Sequence, residues 1–498
     1  MRVALVIPPS LFLSDERSFM HIGILKIAGV LEQARVPVDV LDFSGVSNYL
    51  DALETYYTHH GNAVFGITAT SPQIPATAAI AEHIRLMRQN AKIILGGPHI
   101  TLVHAAYKKE LRRNSLGRAT RALQQMMNRA DVVVAGDGEE AIFDALKDNA
   151  SPIIDADERT SPLFLSRQKL GELPFPARHL VDVSSYHYTI NGTPALSMIA
   201  QLGCPFNCGF CGGRNAPFLR MVRLRPTDSV IAEMRHIYET YNIRGIMFYD
   251  DELNVNKQVV ELMGAIEKLG KELGIEWKLR GFVKAELFTD EQAKVMYRAG
   301  FRELLVGFES GAQRILENIN KRATQNDNTR CAKIAHEHGL RIKALMSIGH
   351  PGETEETIRE TKDWILYIKP DAFDVTRITL YPGSPYFDDA EPHPSEKGIW
   401  VYKAKSGDRL YSREVDYRTD YLYYKGDRGD RMGLNKFFAY TDALSVDDLA
   451  NLRDEMEQDV RNKLGQPYQT DAPALQFEHS MGQGLSLPDF ILKSSTTA

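Results

Sequence analysis

The chain has few cysteines and no sequence feature of a membrane-spanning or secreted protein. Only four cysteines occur in 498 residues, which is typical of a reduced cytosolic protein rather than a disulfide framework. No apolar run reaches the length of a membrane span, and Met1-Arg2 leads into an apolar strand pattern rather than a signal peptide. Basic residues (59) do not outnumber acidic residues (65), which argues against nucleic-acid and anionic-membrane partners. We therefore expect a cytoplasmic protein.

Two common nucleotide-binding motifs are also absent. The chain contains no G-x-G-x-x-G and no Walker loop, so a dinucleotide or a nucleoside triphosphate is not the expected ligand. Fixed-period repeats and low-complexity tracts are lacking as well. The length predicts two or three domains.

The first 150 residues alternate strand and helix patterns. Val3–Ile7 is a continuous apolar run ending at Pro8-Pro9, as in a strand buried on both faces. Further strands are predicted at 36–41, 63–69, 92–95 and 131–135, with helices between them. This alternation predicts an α/β domain with a doubly wound parallel sheet.

The predicted carboxyl ends of these strands carry glycine and hydroxyl groups. Ligands bind at this edge in doubly wound sheets, and glycine allows close approach of a ligand to the backbone. Taken alone, the same loops could be ordinary turns of any α/β domain. The candidate binding residues are Pro8, Thr68, Thr70, Ser71, Gly96, Gly97, Pro98, His99, Gly136, Gly138 and Glu139.

Three of the four cysteines, Cys204, Cys208 and Cys211, fall within eight residues. A structural zinc site needs four ligands, usually as two separated pairs, and no second pair is near. Iron–sulfur clusters use closely spaced thiolates, and three ligands on a four-iron cluster would leave one iron open to a small molecule. Three buried cysteines clustered by chance are the alternative. Cys331 lies in a helical pattern and is expected to be a core residue.

The spacing C-x-x-x-C-x-aromatic-C, followed by Gly212-Gly213-Arg214, resembles the signature of the radical S-adenosylmethionine (SAM) enzymes. The resemblance implies a [4Fe–4S] cluster on the three cysteines, which act as the catalytic and metal-binding residues. It implies that the open iron binds SAM, which is cleaved to a 5′-deoxyadenosyl radical. Phe210 would pack near the adenine by the same resemblance, or be a core aromatic residue.

A second series of strands and helices begins at about residue 197. Predicted strands near 197–201, 245–249, 276–279, 303–308, 342–348 and 373–380 each lead to a polar loop, which favours a partial (β/α)6 barrel. By resemblance, the segment Tyr249-Asp250-Asp251-Glu252 contacts the SAM amino group. Glu309 and Ser310 face the ribose, and Ile348 lies along the adenine. Arg280 pairs with the SAM carboxylate or with Glu309.

The N-terminal segment then resembles the cobalamin-binding domain that precedes the radical SAM core in one large subfamily. Gly96-Gly97-Pro98-His99 and the stretch from Gly136 to Glu140 match its usual sequence. The Asp-x-His-x-x-Gly motif, whose histidine binds cobalt from below, is absent. We therefore expect cobalamin without a protein histidine ligand, and a loop or tail contact for His99.

The predicted organisation is a cobalamin-binding domain (1–150), a connector (151–196), a radical SAM barrel (197–385) and an α-helical or irregular C-terminal cap and tail (386–498). Tyrosines near 402–424 could line a substrate pocket or pack the cap over the barrel. No cysteine is left there for a second cluster.

The predicted function is cobalamin-dependent radical SAM chemistry, with C-methylation of an unactivated carbon of a natural-product-type small molecule. An external electron donor of the flavodoxin or ferredoxin type is the expected protein partner. A ring contraction, cyclisation or oxidation with the same cofactors is the first alternative. A non-catalytic iron–sulfur redox sensor is the alternative of another class.

Overall fold

The computed structural model describes residues 1–10, 16–61, 63–414 and 438–466. In these ranges, no helix is long and apolar enough to cross a membrane. The predicted tyrosine-rich stretch falls partly on residues 415–437, which lie outside the described residues.

The N-terminal part is built on a parallel sheet of six strands in the order β2-β1-β3-β4-β5-β6. Its strands are β1 (Val3–Ile7), β2 (Val38–Asp42), β3 (Val64–Thr68), β4 (Lys92–Gly96), β5 (Val132–Gly136) and β6 (Ile153–Ala156). Its helices are α1 (Ile22–Gln33), α2 (Tyr49–His60), α3 (Ile74–Met87), α4 (Pro98–Arg112), α5 (Arg118–Met127) and α6 (Gly138–Ala145). β6 lies beyond residue 150, so the sheet extends into the stretch predicted as connector.

Both faces of this sheet are buried, as the continuous apolar runs predicted. Ala4 and Val6 pack into the core on one face, whereas Val3, Leu5 and Ile7 pack on the other. Because alternate side chains of a strand point to opposite faces, a strand covered by helices on both sides needs apolar residues throughout.

The second part contains a seven-stranded sheet in the order β15-β14-β13-β12-β11-β8-β7. All its pairs are parallel except the antiparallel pair β7–β8. The strands of this part are β7 (Thr189–Ile190), β8 (Thr193–Met198), β9 (Gln201–Leu202), β10 (Arg223–Leu224), β11 (Gly245–Phe248), β12 (Lys278–Phe282), β13 (Phe301–Glu309), β14 (Arg341–Ile348) and β15 (Ala372–Arg377).

The helices from the connector through this part cover one face of the sheet or follow its loops. They are α7 (Arg167–Glu172), α8 (Pro217–Arg220), α9 (Thr227–Tyr241), α10 (Val259–Leu273), α11 (Asp290–Ala299), α12 (Gln313–Ile319), α13 (Gln325–Glu337) and α14 (Glu355–Ile368). Thr324 and Thr354 cap α13 and α14 by accepting backbone N–H groups, as capping boxes do. Six parallel strands, with helices between successive strands, form the predicted partial barrel.

The C-terminal part packs against the barrel and contains a small antiparallel sheet that the sequence patterns did not predict. Its elements are α15 (Pro385–Asp388), β16 (Glu391–Pro392), β17 (Ile399–Lys403), β18 (Arg409–Arg413), β19 (Tyr440–Thr441) and α16 (Val446–Leu464). α16 buries Leu449, Met456 and Val460 in the same core as the barrel strands.

Candidate active site

The three clustered cysteines lie on one loop that follows β8. β9 and β10 pair as a short antiparallel ribbon at the two ends of this segment, and Cys204 N donates to Leu219 O at 3.0 Å. Gly203 has φ +85°, and a Cβ there would lie 2.2 Å from Met221 O. Only glycine fits at that position without strain, so the start of the cysteine loop is fixed by its backbone.

Arg214 holds the cysteine loop from inside. Its Nη1 donates to Cys204 O and to Phe206 O, both at 2.9 Å, and its backbone N donates to Gly383 O at 3.0 Å. The guanidinium is buried, so its charge acts on the nearby thiols with little screening by water.

Burial makes the thiols of Cys204 and Cys211 weaker acids than an exposed cysteine. Burial raises the pKa of Cys211 to about 12, and the charges of Cys208 and Cys204 contribute, whereas Arg214 lowers it. Burial also raises the pKa of Cys204. A metal that binds these sulfurs must therefore displace their protons.

The donor set fits a cluster that takes three thiolates. Cys204, Cys208 and Cys211 are free thiols on one loop, with Cys208 buried and the others half-buried. In the described ranges, no three His, Cys, Asp or Glu side chains, these cysteines included, are already gathered around one point as for a single metal ion. Cys331 belongs to the barrel core, and burial raises its pKa.

An acidic stretch after β11 faces the cysteine loop. Asp250 Oδ1 accepts from Ala200 N at 3.0 Å, and Asp251 Oδ2 accepts from Gly203 N at 3.0 Å. Burial raises the pKa of Asp250 to about 8 and that of Glu252 to about 7. Tyr249 is 43% exposed.

Two buried oxygens of this stretch, Asp250 Oδ2 and Glu252 Oε2, have no hydrogen-bond partner. A buried carboxylate oxygen left without a partner costs free energy that a ligand cation can recover. The stretch is therefore suited to bind an ammonium group beside the cysteines. Burial and the charge of Glu252 both raise the pKa of Cys204.

A chain of buried polar groups runs from the end of β13 to the cysteine loop. Lys321 Nζ donates to Glu309 Oε1 at 3.1 Å, and Ser347 Oγ donates to Glu309 Oε2 at 2.8 Å. His350 Nε2 lies 2.8 Å from Ser347 Oγ, and its Nδ1 lies 3.3 Å from the Tyr386 hydroxyl.

The directions of these hydrogen bonds follow from the charge at Glu309. Ser347 donates to the carboxylate, so it accepts from His350 Nε2–H, and His350 Nδ1 accepts from the Tyr386 hydroxyl. Burial lowers the pKa of His350 to about 3, consistent with a neutral ring. Tyr386 packs on the loop itself, because a Cβ at Gly209 would lie 2.1 Å from its Cε1 atom.

The backbone at Glu309 is unusual, with φ +67° in a residue that is not glycine. The β13–β14 register shifts between Gly307 and Glu309. Backbone strain of this kind is held in place by surrounding contacts and often occurs at functional sites. Here it accompanies a carboxylate held by Lys321 and Ser347.

The other predicted SAM-contact residues bond or pack against side chains of the barrel and its loops. Ser310 is buried and bonds Thr361 Oγ1 at 2.9 Å. Arg280 pairs with Glu303 rather than Glu309 and donates to Tyr188 OH at 2.9 Å. Ile348 ends β14 and is buried in the barrel core. Phe210 is half-buried, and its ring centre lies 5.6 Å from that of His350.

The carboxyl edge of the N-terminal sheet borders a cavity of about 190 Å³. Predicted binding residues that line it are Thr68, Gly96, Gly97, Pro98, Gly136, Gly138 and Glu139. Ile199, Leu202 and Phe218, which flank the cysteine loop, line the opposite side. The cavity therefore lies between the sheet edge and the segment that carries the cysteines.

Glycine is required at two positions of the cavity wall. A Cβ at Gly97 (φ +103°) would lie 2.7 Å from Ala69 N, and one at Gly136 (φ +92°) would lie 2.4 Å from Ala156 C. These residues bring the backbone to the cavity surface, as glycine does where a ligand approaches closely.

The remaining predicted residues of this edge support the loops without lining the cavity. Pro8 O accepts from Gln73 Nε2 at 2.6 Å, and Thr70 and Gln73 form a capping box. His99 is buried, and its Nδ1 lies 2.7 Å from Ser71 Oγ. Burial lowers the pKa of His99 to about 3.

One buried ion pair lines the cavity. Lys26 Nζ lies 3.0 Å from Glu139 Oε1, and both side chains are about nine-tenths buried. Composition gave no signal for this lysine, because it lies on an apolar helix far from Glu139 in sequence.

The two parts of the molecule are joined at the cavity by buried charge. Arg223 Nη1 lies 2.5 Å from Asp137 Oδ2, and Leu165 N donates to the same oxygen at 2.8 Å. Asp157 Oδ1 accepts from Phe218 N at 2.7 Å. These contacts fix the sheet edge against the segment that carries the cysteines.

Comparison with protein families identifies the second part. The model of the Radical SAM superfamily matches residues 198–365. These residues form a radical SAM domain. The domain contains the cysteine loop, the acidic stretch after β11 and the chain of polar groups at Glu309.

Two curated relatives extend beyond the radical SAM domain. The uncharacterized methyltransferase PH0819 of Pyrococcus horikoshii is 28% identical over 339 residues, which are 64% of this chain and 68% of its own length. The anaerobic magnesium-protoporphyrin IX monomethyl ester cyclase of Cereibacter sphaeroides is 24% identical over 400 residues. That match spans 74% of this chain but only 62% of the cyclase.

The whole fold resembles a solved radical SAM methyltransferase. TsrM from Kitasatospora setae, with cobalamin and a [4Fe–4S] cluster bound, aligns with a TM-score of 0.65 and 18% identity, covering 91% of this chain and 90% of TsrM. A second TsrM structure, with tryptophan and a SAM analogue bound, aligns with a TM-score of 0.62. The predicted α/β fold class and the resemblance to cobalamin-dependent radical SAM proteins are confirmed, and the chain is an enzyme with a radical SAM domain. TsrM, which shares this fold, binds the predicted cofactors, with cobalamin and a [4Fe–4S] cluster in one structure and a SAM analogue in the other.

Sequence reasoning missed several groups that complete the radical SAM domain. Lys321, Ser347 and Tyr386 were not among the predicted site residues, although they bond or pack around Glu309 and the cysteine loop. The polar run Gly349-His350-Pro351-Gly352-Glu353 after β14 was the available signal for this region. Lys321 lies just after the end of α12 and is not part of a recognisable sequence motif.

Proposed function

We propose that this chain is a cobalamin-dependent radical SAM enzyme that methylates a carbon of a small molecule. The observation that carries the proposal is the cavity lined by the glycine loops of the sheet on one side and by Ile199, Leu202 and Phe218 on the other. A cobalamin held at this edge would lie against the radical SAM domain. Methyl transfer needs this proximity, since efficient reaction depends on closely held partners.

In the radical SAM domain, the cysteine loop would bind the cluster and the acidic stretch would bind SAM. Cys204, Cys208 and Cys211 would hold the cluster, and Arg214 would balance part of the thiolate charge. The unpartnered oxygens of Asp250 and Glu252 would accept from the SAM ammonium group. Glu309, oriented by Lys321 and Ser347, would face the ribose.

The sheet edge would hold cobalamin through its backbone. Gly97 and Gly136 leave room for a close ligand, and Thr68 supplies a hydroxyl group at the cavity wall. When bound, the cofactors supply a 5′-deoxyadenosyl radical and a transferable methyl group, while the protein orients the reactants and excludes water.

The test is an anaerobic product screen with the reconstituted enzyme and SAM carrying a trideuterated methyl group. The expected result is 5′-deoxyadenosine together with a product whose mass rises by that of one labelled methyl group. Candidate substrates are small molecules, with RNA included as a control. A labelled RNA and no labelled small molecule would contradict the small-molecule assignment.

A second candidate is cyclisation or oxidation without methyl transfer. It is favoured by the match to the magnesium-protoporphyrin ester cyclase, which covers 74% of this chain. The same screen separates the two candidates, because cyclisation removes hydrogen from the product and adds no label. The RNA control also tests the proposed absence of a nucleic-acid partner.

A further inference from the structure

This inference rests on the proposed radical chemistry, which requires one electron from outside the protein. We propose that the surface formed by Arg159, Arg220, Arg322, Pro205 and Met221 is the docking site for an acidic one-electron carrier protein. We call this surface the arginine patch. The transfer moves one electron from the carrier, which is oxidised, to the enzyme, which is reduced, and no covalent bond changes.

The arginine patch surrounds the outer edge of the cysteine loop. Arg220 ends α8, and its Nη2 donates to Pro205 O at 2.9 Å, one residue from Cys204. Arg322 follows Asn320, whose Nδ2 donates to Asn207 O at 2.9 Å. Because Pro205 is exposed and Cys204 is only half-buried, this is a side from which the cysteines can be approached.

Arg159 joins the patch from the N-terminal part. It lies two residues after Asp157, whose Oδ1 accepts from Phe218 N of α8 at 2.7 Å. Arg159 and Arg322 are exposed. Both act on Arg220, whose pKa is lowered by burial and by its cationic neighbours. Placing like charges together costs free energy, which a bound anionic surface recovers.

The patch is positive in a protein whose net charge is −6. No carboxylate among residues 1–10, 16–61, 63–414 and 438–466 forms a salt bridge with Arg159, Arg220 or Arg322. The acids nearest in sequence to Arg159 are Glu158, which pairs with Lys108 at 2.8 Å, and Asp157, which is buried, accepts from Phe218 N and lies 3.8 Å from Lys108 Nζ. The arginine patch is therefore positive although the whole chain is negative, and its charges can interact with an acidic partner.

The patch also has an apolar centre. Met221 is 37% exposed and adjoins Arg220, and Pro205 is exposed beside them. Transient electron-transfer complexes use small interfaces in which complementary charge guides association and apolar atoms make the contact. Three cations around two apolar residues fit an acidic carrier better than a long nucleic-acid backbone, which needs a more extended basic surface.

The experiment measures binding of an acidic flavodoxin to the reconstituted enzyme at low and moderate salt. The double variant Arg159→Ala/Arg322→Ala removes two charges and leaves Arg220, which bonds the loop. The matched control, Arg112→Ala/Arg244→Ala, removes two exposed charges elsewhere, Arg244 being at the amino end of β11. We expect the patch variant to weaken binding about tenfold or more at low salt, and the control to stay within about twofold. Equal affinity for the two variants would overturn the proposal.

Reduction assays separate this inference from the proposed function. With dithionite, a small reductant that needs no docking site, both variants should cleave SAM at the wild-type rate. With reduced flavodoxin, only the patch variant should be slow. If flavodoxin reduced only the patch variant slowly, but the wild-type enzyme made no methylated product, the docking site would be supported and the methylation proposal contradicted. A patch that bound RNA or anionic vesicles, but not flavodoxin, would overturn the docking site alone.

Discussion

At the scale of single residues, burial and neighbouring charges both shift the pKa values of the ionisable side chains in the site. Burial raises the pKa of Cys211 and of Asp250, so these groups tend to be neutral without a cationic partner. Burial opposes the charge of Lys321, but Glu309 and Cys208 outweigh it, and the pKa of Lys321 is raised. The site therefore places a buried lysine cation near the cysteine loop, where a metal would take the place of the protons on Cys204 and Cys211.

The four cysteines should respond differently to removal of the thiol. Cys208→Ala should abolish iron–sulfur absorbance and SAM cleavage together, because it removes one of three ligands on the loop. Cys331→Ala is the control, since Cys331 lies in the barrel core. It should leave both signals intact and lower stability only slightly. Loss of the cluster in Cys331→Ala would contradict the three-ligand assignment.

Glu353 should make the stability of the protein depend on pH. Burial raises its pKa to about 7, although Thr357, Gly349 and His350 donate to it and lower it. Because the folded pKa lies above the unfolded value, the neutral form favours folding, and this contribution is lost as pH rises from about 4.5 to about 7. Glu353→Gln cannot ionise, so it should exceed the wild type in stability at pH 8 by up to about 3 kcal/mol and match it near pH 4.5. Denaturant unfolding at the two pH values measures this, and an equal difference at both would contradict it.

Site residues could be predicted from the sequence where their role requires a short, recognisable sequence pattern. Cysteine spacing marked the cluster loop, and glycine runs marked the cavity wall at Gly97 and Gly136. Lys321 and Tyr386 were not predictable, because their roles depend on contacts with Glu309 and Gly209 that lie far away in sequence.

At the scale of elements, the carboxyl ends of β4 and β5 place glycine at the cavity. Gly97→Val would add a branched side chain where φ is +103° and where even a Cβ would lie 2.7 Å from Ala69 N. We expect loss of retained cobalamin and of methylated product, with 5′-deoxyadenosine still formed by the radical SAM domain. Cobalamin is measured by absorbance after gel filtration.

Gly264→Val on α10 is the matched control, because nothing lies within 4 Å of a Cβ at Gly264. It should retain cobalamin as the wild type does. A Gly97→Val enzyme that lost cobalamin but made product at the normal rate would exclude cobalamin from the reaction.

The order of strands and helices could be predicted well, because apolar runs and helical spacing are local signals. Val3–Ile7 and the strand ending at Glu309 both appear where those patterns are. The antiparallel sheet from β16 to β19 was missed because its strands are short and half-exposed. Such strands form through tertiary pairing rather than strong local preference.

At the scale of the whole molecule, the two parts are held together by contacts that are both buried and charged. Arg223 and Asp137 are 2% and 1% exposed, and Arg118 lies between the rings of Phe387 and Trp400, 3.7 and 3.9 Å from their centres. The first contact lies at the cavity and the second joins α5 to the C-terminal part. Both oppose separation of the N-terminal sheet from the rest of the molecule.

Breaking the buried pair at the cavity should loosen the joint between the two parts. Arg223→Met leaves the Asp137 carboxylate buried with Leu165 N as its remaining donor, and removing one partner of such a pair typically costs about 3–5 kcal/mol. The double variant Arg223→Met/Asp137→Asn removes both charges, so it should be less destabilised than the sum of the single variants by about 1 kcal/mol or more. Denaturant unfolding of the wild type, both single variants and the double variant gives this difference.

The Arg223→Met variant should also be cleaved faster by protease between residues 157 and 166, where the chain passes from one part to the other. Additive single effects and unchanged cleavage would mean that Arg223 and Asp137 do not couple the sheet edge to the radical SAM domain.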